Sequence, residues 1–183
     1  MRAGNRGPMS LTGQTTRPAV ETTHSKWETA LRVMTIGLVT GLVVVGGLGF
    51  LGVRTADARV SGEGFEMNVH YAAVTRPALA TPFSITVRST DGAALPAEVT
   101  IMVSSEYLAM FDDNGMEPLP SESYNTATWT SWTFAVPEGR GSITVDLDAR
   151  LEPSVQWGRS AEARLEIDGE VVISVPFTTR VAP

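Results

Sequence analysis

The chain has 183 residues, 43% apolar and 19% charged, with a formal net charge of −6 and no cysteine. That length holds one domain plus an anchor, and the acidic balance argues against a nucleic-acid partner. The lack of cysteine excludes disulfides, thiolate-ligated zinc, iron–sulfur clusters, thiol nucleophiles and cysteine lipidation, without placing the protein in a reducing compartment.

Residues 1–26 are rich in Gly, Pro, Ser, Thr, Asn, Gln and Arg and show no hydrophobic period. Such a composition predicts a disordered tail. From Ser25 the chain becomes compatible with helix. Ser25 and Glu28 have the capping-box spacing, and Trp27 stands where an interfacial aromatic anchor is expected.

Between Arg32 and Arg54 lie 21 residues, Val33 to Val53, without a charge. As a helix this run spans about 31 Å at ~1.5 Å per residue, which matches a hydrocarbon core of ~30 Å. It is apolar on every side, so it has no face to offer to water. Arg2, Arg6, Arg17, Lys26 and Arg32 precede it, while Arg54 and Arg59 follow it among Asp57, Glu63 and Glu66. The excess of positive charge predicts a cytoplasmic N-terminus and an extracytoplasmic C-terminal domain. The competing reading is a signal peptide cleaved after Ala58, because Ala56-Asp57-Ala58 has the small-x-small form of a cleavage site. The apolar run is longer than a signal core, which favours the anchor. Within it, Gly37 and Gly41 have the small-xxx-small spacing that permits helix pairing and hence a homodimer. Glycine is also common in membrane helices without any such role.

From Phe65 onward the apolar residues alternate. Phe65, Met67, Val69 and Tyr71 begin the pattern. Phe83, Ile85 and Val87 continue it, then Val99, Ile101 and Val103, and Trp132, Phe134 and Val136. Ile143, Val145 and Leu147, then Ala163, Leu165 and Ile167, and Val171, Ile173, Val175 and Phe177 complete it. Period two means strands with one buried face. Thr90-Asp91-Gly92 and Pro137-Glu138-Gly139 predict turns, and Asp168-Gly169 predicts a hairpin. The expected fold is all-β: an immunoglobulin-like β-sandwich of about seven strands, with a small barrel as the alternative. Tyr107, Met110 and Phe111 break the alternation at helical spacing. They predict one short inserted helix, started at Ser104 and ended by Asn114-Gly115, before a long connection through Pro118 and Pro120. The expected division is a cytoplasmic tail over 1–26, a transmembrane helix over 27–54, a linker over 55–63 and the sandwich over 64–183.

The chemistry-bearing residues are sparse. His70 is the only histidine beyond the apolar run, on the polar face of its strand, and no G-x-S-x-G is present. Asp146 and Asp148 project to one side of a strand about 7 Å apart, with Arg150 on the same face as a partner for Asp148. Asp112-Asp113-Asn114-Gly115 resembles a calcium loop in composition and lacks the EF-hand spacing. Met67, Met102, Met110, Met116 and His70 do not cluster as copper ligands would, and core packing uses the methionines better. No catalytic residue, cofactor or metal is therefore assigned. The residues that can contact another molecule are the aromatics off the alternating faces: Tyr107, Phe111, Tyr124, Trp129 and Trp157. Trp129 does not share the parity of Trp132 unless a bulge intervenes.

Three stretches carry a likeness. They are Tyr71-Ala72-Ala73-Val74-Thr75-Arg76-Pro77 with Ala80-Thr81-Pro82-Phe83, Asp148-Ala149-Arg150-Leu151-Glu152-Pro153, and Thr179-Arg180-Val181-Ala182-Pro183. Over residues 30–183 the chain resembles an uncharacterised family of actinobacterial single-pass membrane-anchored proteins with an extracytoplasmic β-sandwich domain. The resemblance implies a membrane-protein partner and supplies no catalytic residues. The leading expectation is a non-enzymatic, membrane-tethered interaction module, accessory to another membrane protein. A metal-handling or oxidase-accessory protein and a cell-envelope glycan-binding protein or enzyme are the alternatives.

Overall fold

The structure is a computed structural model that describes residues 26–47 and 52–182. The tail expected over 1–26 lies outside the described residues except for Lys26, as do Ser25 and the stretch 48–51 of the apolar run. The chain forms two compact units, Met1–Val44 and Val45–Pro183.

Helix α1, Lys26–Gly47, supplies the described part of the first unit up to Val44 and has no buried residue. Its 22 residues rise about 33 Å at ~1.5 Å per residue, and by length and composition it can cross a membrane. Its apolar side chains are exposed around the whole circumference, Leu38 at 66% and Val43 at 68%. A Cβ placed on Gly37 or Gly41 would meet nothing within 4 Å.

The second unit is a β-sandwich. Among the described residues it has ten strands, three more than the alternation announced. One sheet has the order β5-β8-β3-β2-β1 and the other β10-β9-β4-β7-β6. Their ranges are β1 Arg54–Gly62, β2 Phe65–Thr75, β3 Ala80–Ser89, β4 Glu98–Ser104, β5 Phe111–Glu117, β6 Glu122–Asn125, β7 Trp129–Ala135, β8 Ser142–Leu151, β9 Arg159–Ile167 and β10 Glu170–Val181. The last residues of β10 leave their own sheet and pair in parallel with β2, Arg180 with Val74 and Val181 with Thr75. That corner joins the two sheets along one edge.

The alternating residues face inward as period two requires, except Val171, which is 46% exposed because the ladder with β9 shifts register between Val171 and Ile173. Met67, Val69, Val87, Ile101, Val103, Ala163, Leu165 and Val175 are fully buried and belong to one core. Full burial of one aliphatic side chain is worth about 1.5–3 kcal/mol, so this shared layer is the main source of the domain's cohesion. The Asp168-Gly169 hairpin is present, both residues at positive φ (50° and 82°). Glu63-Gly64 makes the same kind of turn between β1 and β2 (φ 50° and 84°).

Three expectations are corrected. Residues 55–63 are no linker: β1 pairs with β2 from Arg54–Val74 to Gly62–Phe65. The inserted helix is a single turn, α2, Ser105–Leu108, and Asp112-Asp113-Asn114-Gly115 lies in β5 instead of ending it. Ser104 makes no capping bond. Its hydroxyl instead accepts from the Glu162 amide at 3.0 Å, tying β4 to β9.

Candidate interaction surfaces

The five aromatics singled out as contact residues fall into three environments. Tyr107 and Phe111 are corrected: they are 1% and 8% exposed and belong to the core. Tyr107 packs edge-on against Phe111 and Phe177, with centroids 5.1 and 4.9 Å away, and Phe83 stands 5.6 Å off. A single helical turn and the first residue of a strand suffice to point both rings inward. Their helical spacing therefore marked burial and no binding face.

Trp129 and Tyr124 share the outer face of the second sheet. β7 carries no register shift along its pairing with β4, so strict alternation sends Trp132 inward and Trp129 outward. The guanidinium of Arg164 lies 4.1 Å from the Trp129 ring centroid. The same guanidinium makes a forked pair with Glu162, Nε to Oε1 at 3.0 Å and Nη2 to Oε2 at 3.4 Å. This pairing holds the Glu162 carboxyl below its usual range. Register places Tyr124 opposite Ser131, Ser131 opposite Met102, Met102 opposite Arg164 and Arg164 opposite Ser174. At ~4.8 Å between strands, Tyr124 and Arg164 stand about 14 Å apart across one row. Tyr124 is 70% exposed.

Trp157 occupies a third place, the loop between β8 and β9, and is 81% exposed. It walls two surface grooves. One, of ≈ 400 Å³, runs beside Glu106, Met110 and Arg159. The other, of ≈ 490 Å³, runs beside Pro77, Pro153 and Val181. The loop is fixed from below. A Cβ on Gly158 would fall 2.0 Å from the Thr179 carbonyl and 2.7 Å from Arg180 Cα, so the backbone can approach β10 only through glycine. Arg159 donates to Glu106 at 3.0 Å and joins the loop to α2. Beneath it the three buried threonines are all bonded: Thr179 donates to the Ala72 carbonyl at 2.8 Å, Thr81 to the Leu79 carbonyl at 3.1 Å, and Thr75 lies 3.3 Å from Thr81. Satisfied buried hydroxyls of this kind fix the loop bases without cost from unpaired groups.

His70 lies on the polar face of β2, as expected, with Asp57 of β1 as its partner: Nδ1 is 3.0 Å from Oδ1. Asp57 also accepts from Asn68 at 3.2 Å. The Asn68 bond first, and the imidazole next, keep the Asp57 carboxyl below its usual range. Arg150 is placed opposite Asp112 across β5 and β8, and among the described residues no ion pair joins it to Asp148. Among the described residues no three His, Cys, Asp or Glu side chains gather to hold a metal ion.

No family model matches the chain, and no curated protein matches it. Among solved structures it is similar to a collagen-binding domain from a Staphylococcus aureus adhesin, at 11% identity and a TM-score of 0.38. That match covers 66% of this chain and 99% of that one.

Proposed function

We propose that the chain is a membrane-tethered extracytoplasmic interaction module, accessory to another membrane protein, which it meets through the outer face of the second sheet. The observation that carries the reading is α1: a helix of spanning length with no buried residue, followed after a short connection by a strand that is part of the sandwich. A helix that is apolar all round and has no buried residue is stable in lipid. β1 supports retention of the anchor. Cleavage after Ala58 would remove the strand's first half, from Arg54 to Ala58, together with the Asp57 that binds Asn68 and His70. The flanking arginines orient residues 1–26 to the cytoplasm and the sandwich outward. An alkaline phosphatase fused after Pro183 is active in this arrangement, and an inactive fusion overturns it.

Exposed Tyr124 and the Trp129–Arg164 stack supply the residue types that dominate protein interfaces. Photo-crosslinking from position 124 in cells tests the contact, with position 144 on the outer face of the other sheet as control. One discrete adduct from 124 and none from 144 supports the reading. Equal labelling from both, or none from either, removes it.

A further inference from the structure

The two ends of the sandwich differ in a way that follows from topology and charge together. The chain enters the domain at Arg54, opposite Val74, and Val74 is in turn opposite Arg180. The entry point therefore shares one end of the sandwich with the loops at 76–79, 105–110, 126–128 and 152–158. Arg54, Arg76, Arg150, Arg159 and Arg180 stand at that end, five of the nine arginines between 54 and 182. Glu106, Asp112, Asp113 and Glu152 lie there too, with Glu106 bound to Arg159. The opposite end carries Glu63, Asp91, Glu98, Glu138, Asp168 and Glu170 against Arg88 and Arg140. The entry end also presents the most exposed aromatic of the domain, Trp157 at 81%, with Leu79 at 39%. Pro77 and Pro153 line the apolar groove beside that tryptophan.

We infer that this end is a lipid-docking surface, in which Trp157 enters the headgroup layer and the arginines around it engage anionic headgroups. The inference rests on the anchored reading above, because six residues, 48–53, join Gly47 to Arg54. Even fully extended they reach only about 25 Å at ~3.3–3.6 Å per residue. A tether of that length keeps Arg54 within that reach of the end of α1. Tryptophan is the residue favoured at headgroup depth because its ring is apolar and its N–H polar. Each basic residue near an anionic surface adds attraction that decays within a Debye length. Trp and Arg are also the residue types of protein interfaces; what favours lipid here is that they share the end at which the chain enters from α1.

The absence of native cysteine makes the test direct. The full chain is placed in vesicles of phosphatidylcholine with phosphatidylglycerol, carrying Gln156→Cys or, separately, Asp168→Cys, each with a fluorescent label. A nitroxide quencher on the lipid headgroup is expected to quench the label at 156 several-fold more than that at 168. Trp157→Ser, at an exposed site that leaves the fold intact by near-ultraviolet circular dichroism, reduces quenching at 156 toward the level at 168. Omitting phosphatidylglycerol weakens it. A chain that survives alkaline washing but shows equal quenching at both positions overturns the docking alone. A chain stripped from the vesicles by that wash overturns the anchored reading and the docking with it. A label at 156 shielded from both lipid-borne and water-soluble quenchers indicates a protein contact and also overturns the docking.

Discussion

The phenol of Tyr107 stands 3.1 Å from the hydroxyl of Thr179. Thr179 donates its own proton to the Ala72 carbonyl, so Tyr107 must donate to Thr179. The pair links α2, β10 and β2 through two side chains that are 1% and 0% exposed. Tyr107→Phe removes one buried bond and leaves Thr179 bonded to Ala72, which costs about 1 kcal/mol. Tyr107→Ala also removes the ring from the aromatic cluster and costs about 3–5 kcal/mol. Chemical denaturation of both variants checks the order.

The same residue sets the alkaline limit of stability. Burial pushes the Tyr107 phenol up to about 12, against ~10 in the unfolded chain. Between those values the unfolded state has lost the proton and the native state keeps it, so stability falls as pH rises from 10 toward 12. The effect is on the order of 2–3 kcal/mol and disappears in Tyr107→Phe. On the acid side, Asp57, Glu66, Asp91 and Glu162 are all held below their ordinary values by hydrogen bonds, the first-named from Asn68, Arg88, Ser89 and Arg164. Their contribution is complete above the ordinary carboxylate values and is lost as pH falls from there through the lower values of the folded state. Melting temperature against pH therefore shows a plateau from about 5 to 10.

β1 makes the start of the folded domain a measurable boundary. Residues 54–183 keep the full ladder with β2, whereas 59–183 lose Arg54 to Ala58 and the Asp57 carboxylate. Ala58 also packs against the core. The shorter fragment should be less stable by on the order of 2 kcal/mol, from several lost backbone bonds at ~1 kcal/mol each partly replaced by water. Comparable melting of the two fragments would show that residues 54–58 contribute nothing to the sandwich.

Gly158→Ala places a methyl where the Thr179 carbonyl already is. The loop must lift from β10, at a cost of about 1–3 kcal/mol and a fall in Tm of roughly 5–10 °C. Gly64→Ala is the control. It has open space around its Cβ but sits at φ +84°, so it reports backbone strain instead of collision. Faster amide exchange confined to residues 152–158 in the Gly158 variant locates the damage.

How much of this was legible depends on which force shaped each segment. The buried strands were readable because a half-buried strand must alternate, and Asp168-Gly169 was readable because both residues tolerate positive φ. Glu63-Gly64 makes an equivalent turn, but glutamate at that position is no turn signal. β1 escaped because its inward residues include Ala56 and Ala58, too small to stand out beside the apolar run. β6 escaped because all four of its residues are exposed, so no burial imprints a period. The spacing of Tyr107, Met110 and Phe111 puts them on a shared face, but Tyr107 and Phe111 pass for contact residues in the sequence when that face is buried in the core, because spacing alone does not say whether a shared face looks inward or outward. The Trp129–Arg164 stack joins residues 35 positions apart, a contact set by sheet register and invisible to local spacing.

Among the described residues, Gly37 and Gly41 have no neighbour that requires a missing side chain. If two copies pair through them, Gly37→Ile with Gly41→Ile separates the helices by the width of the added groups. The dimer fraction in mild detergent then falls several-fold, with the melting of the sandwich unchanged. A dimer fraction equal to that of the natural chain assigns the glycines to ordinary membrane-helix composition.

Arg164 separates binding from stability on the outer sheet face. Its forked pair with Glu162 and its stack on Trp129 are part-exposed, so Arg164→Ala should cost the fold no more than about 1 kcal/mol. At an interface, an arginine already held in place by a carboxylate and an indole loses little further freedom on binding. Its removal there costs about 2 kcal/mol or more, a thirty-fold loss of affinity or greater. Arg164→Lys keeps the charge but not the flat stacking surface or the fork, and should recover only part of the loss. The measurement is the yield of the adduct formed from position 124 in the three backgrounds, set against their melting temperatures. A yield that tracks melting temperature across them would mean that Arg164 only braces the sheet.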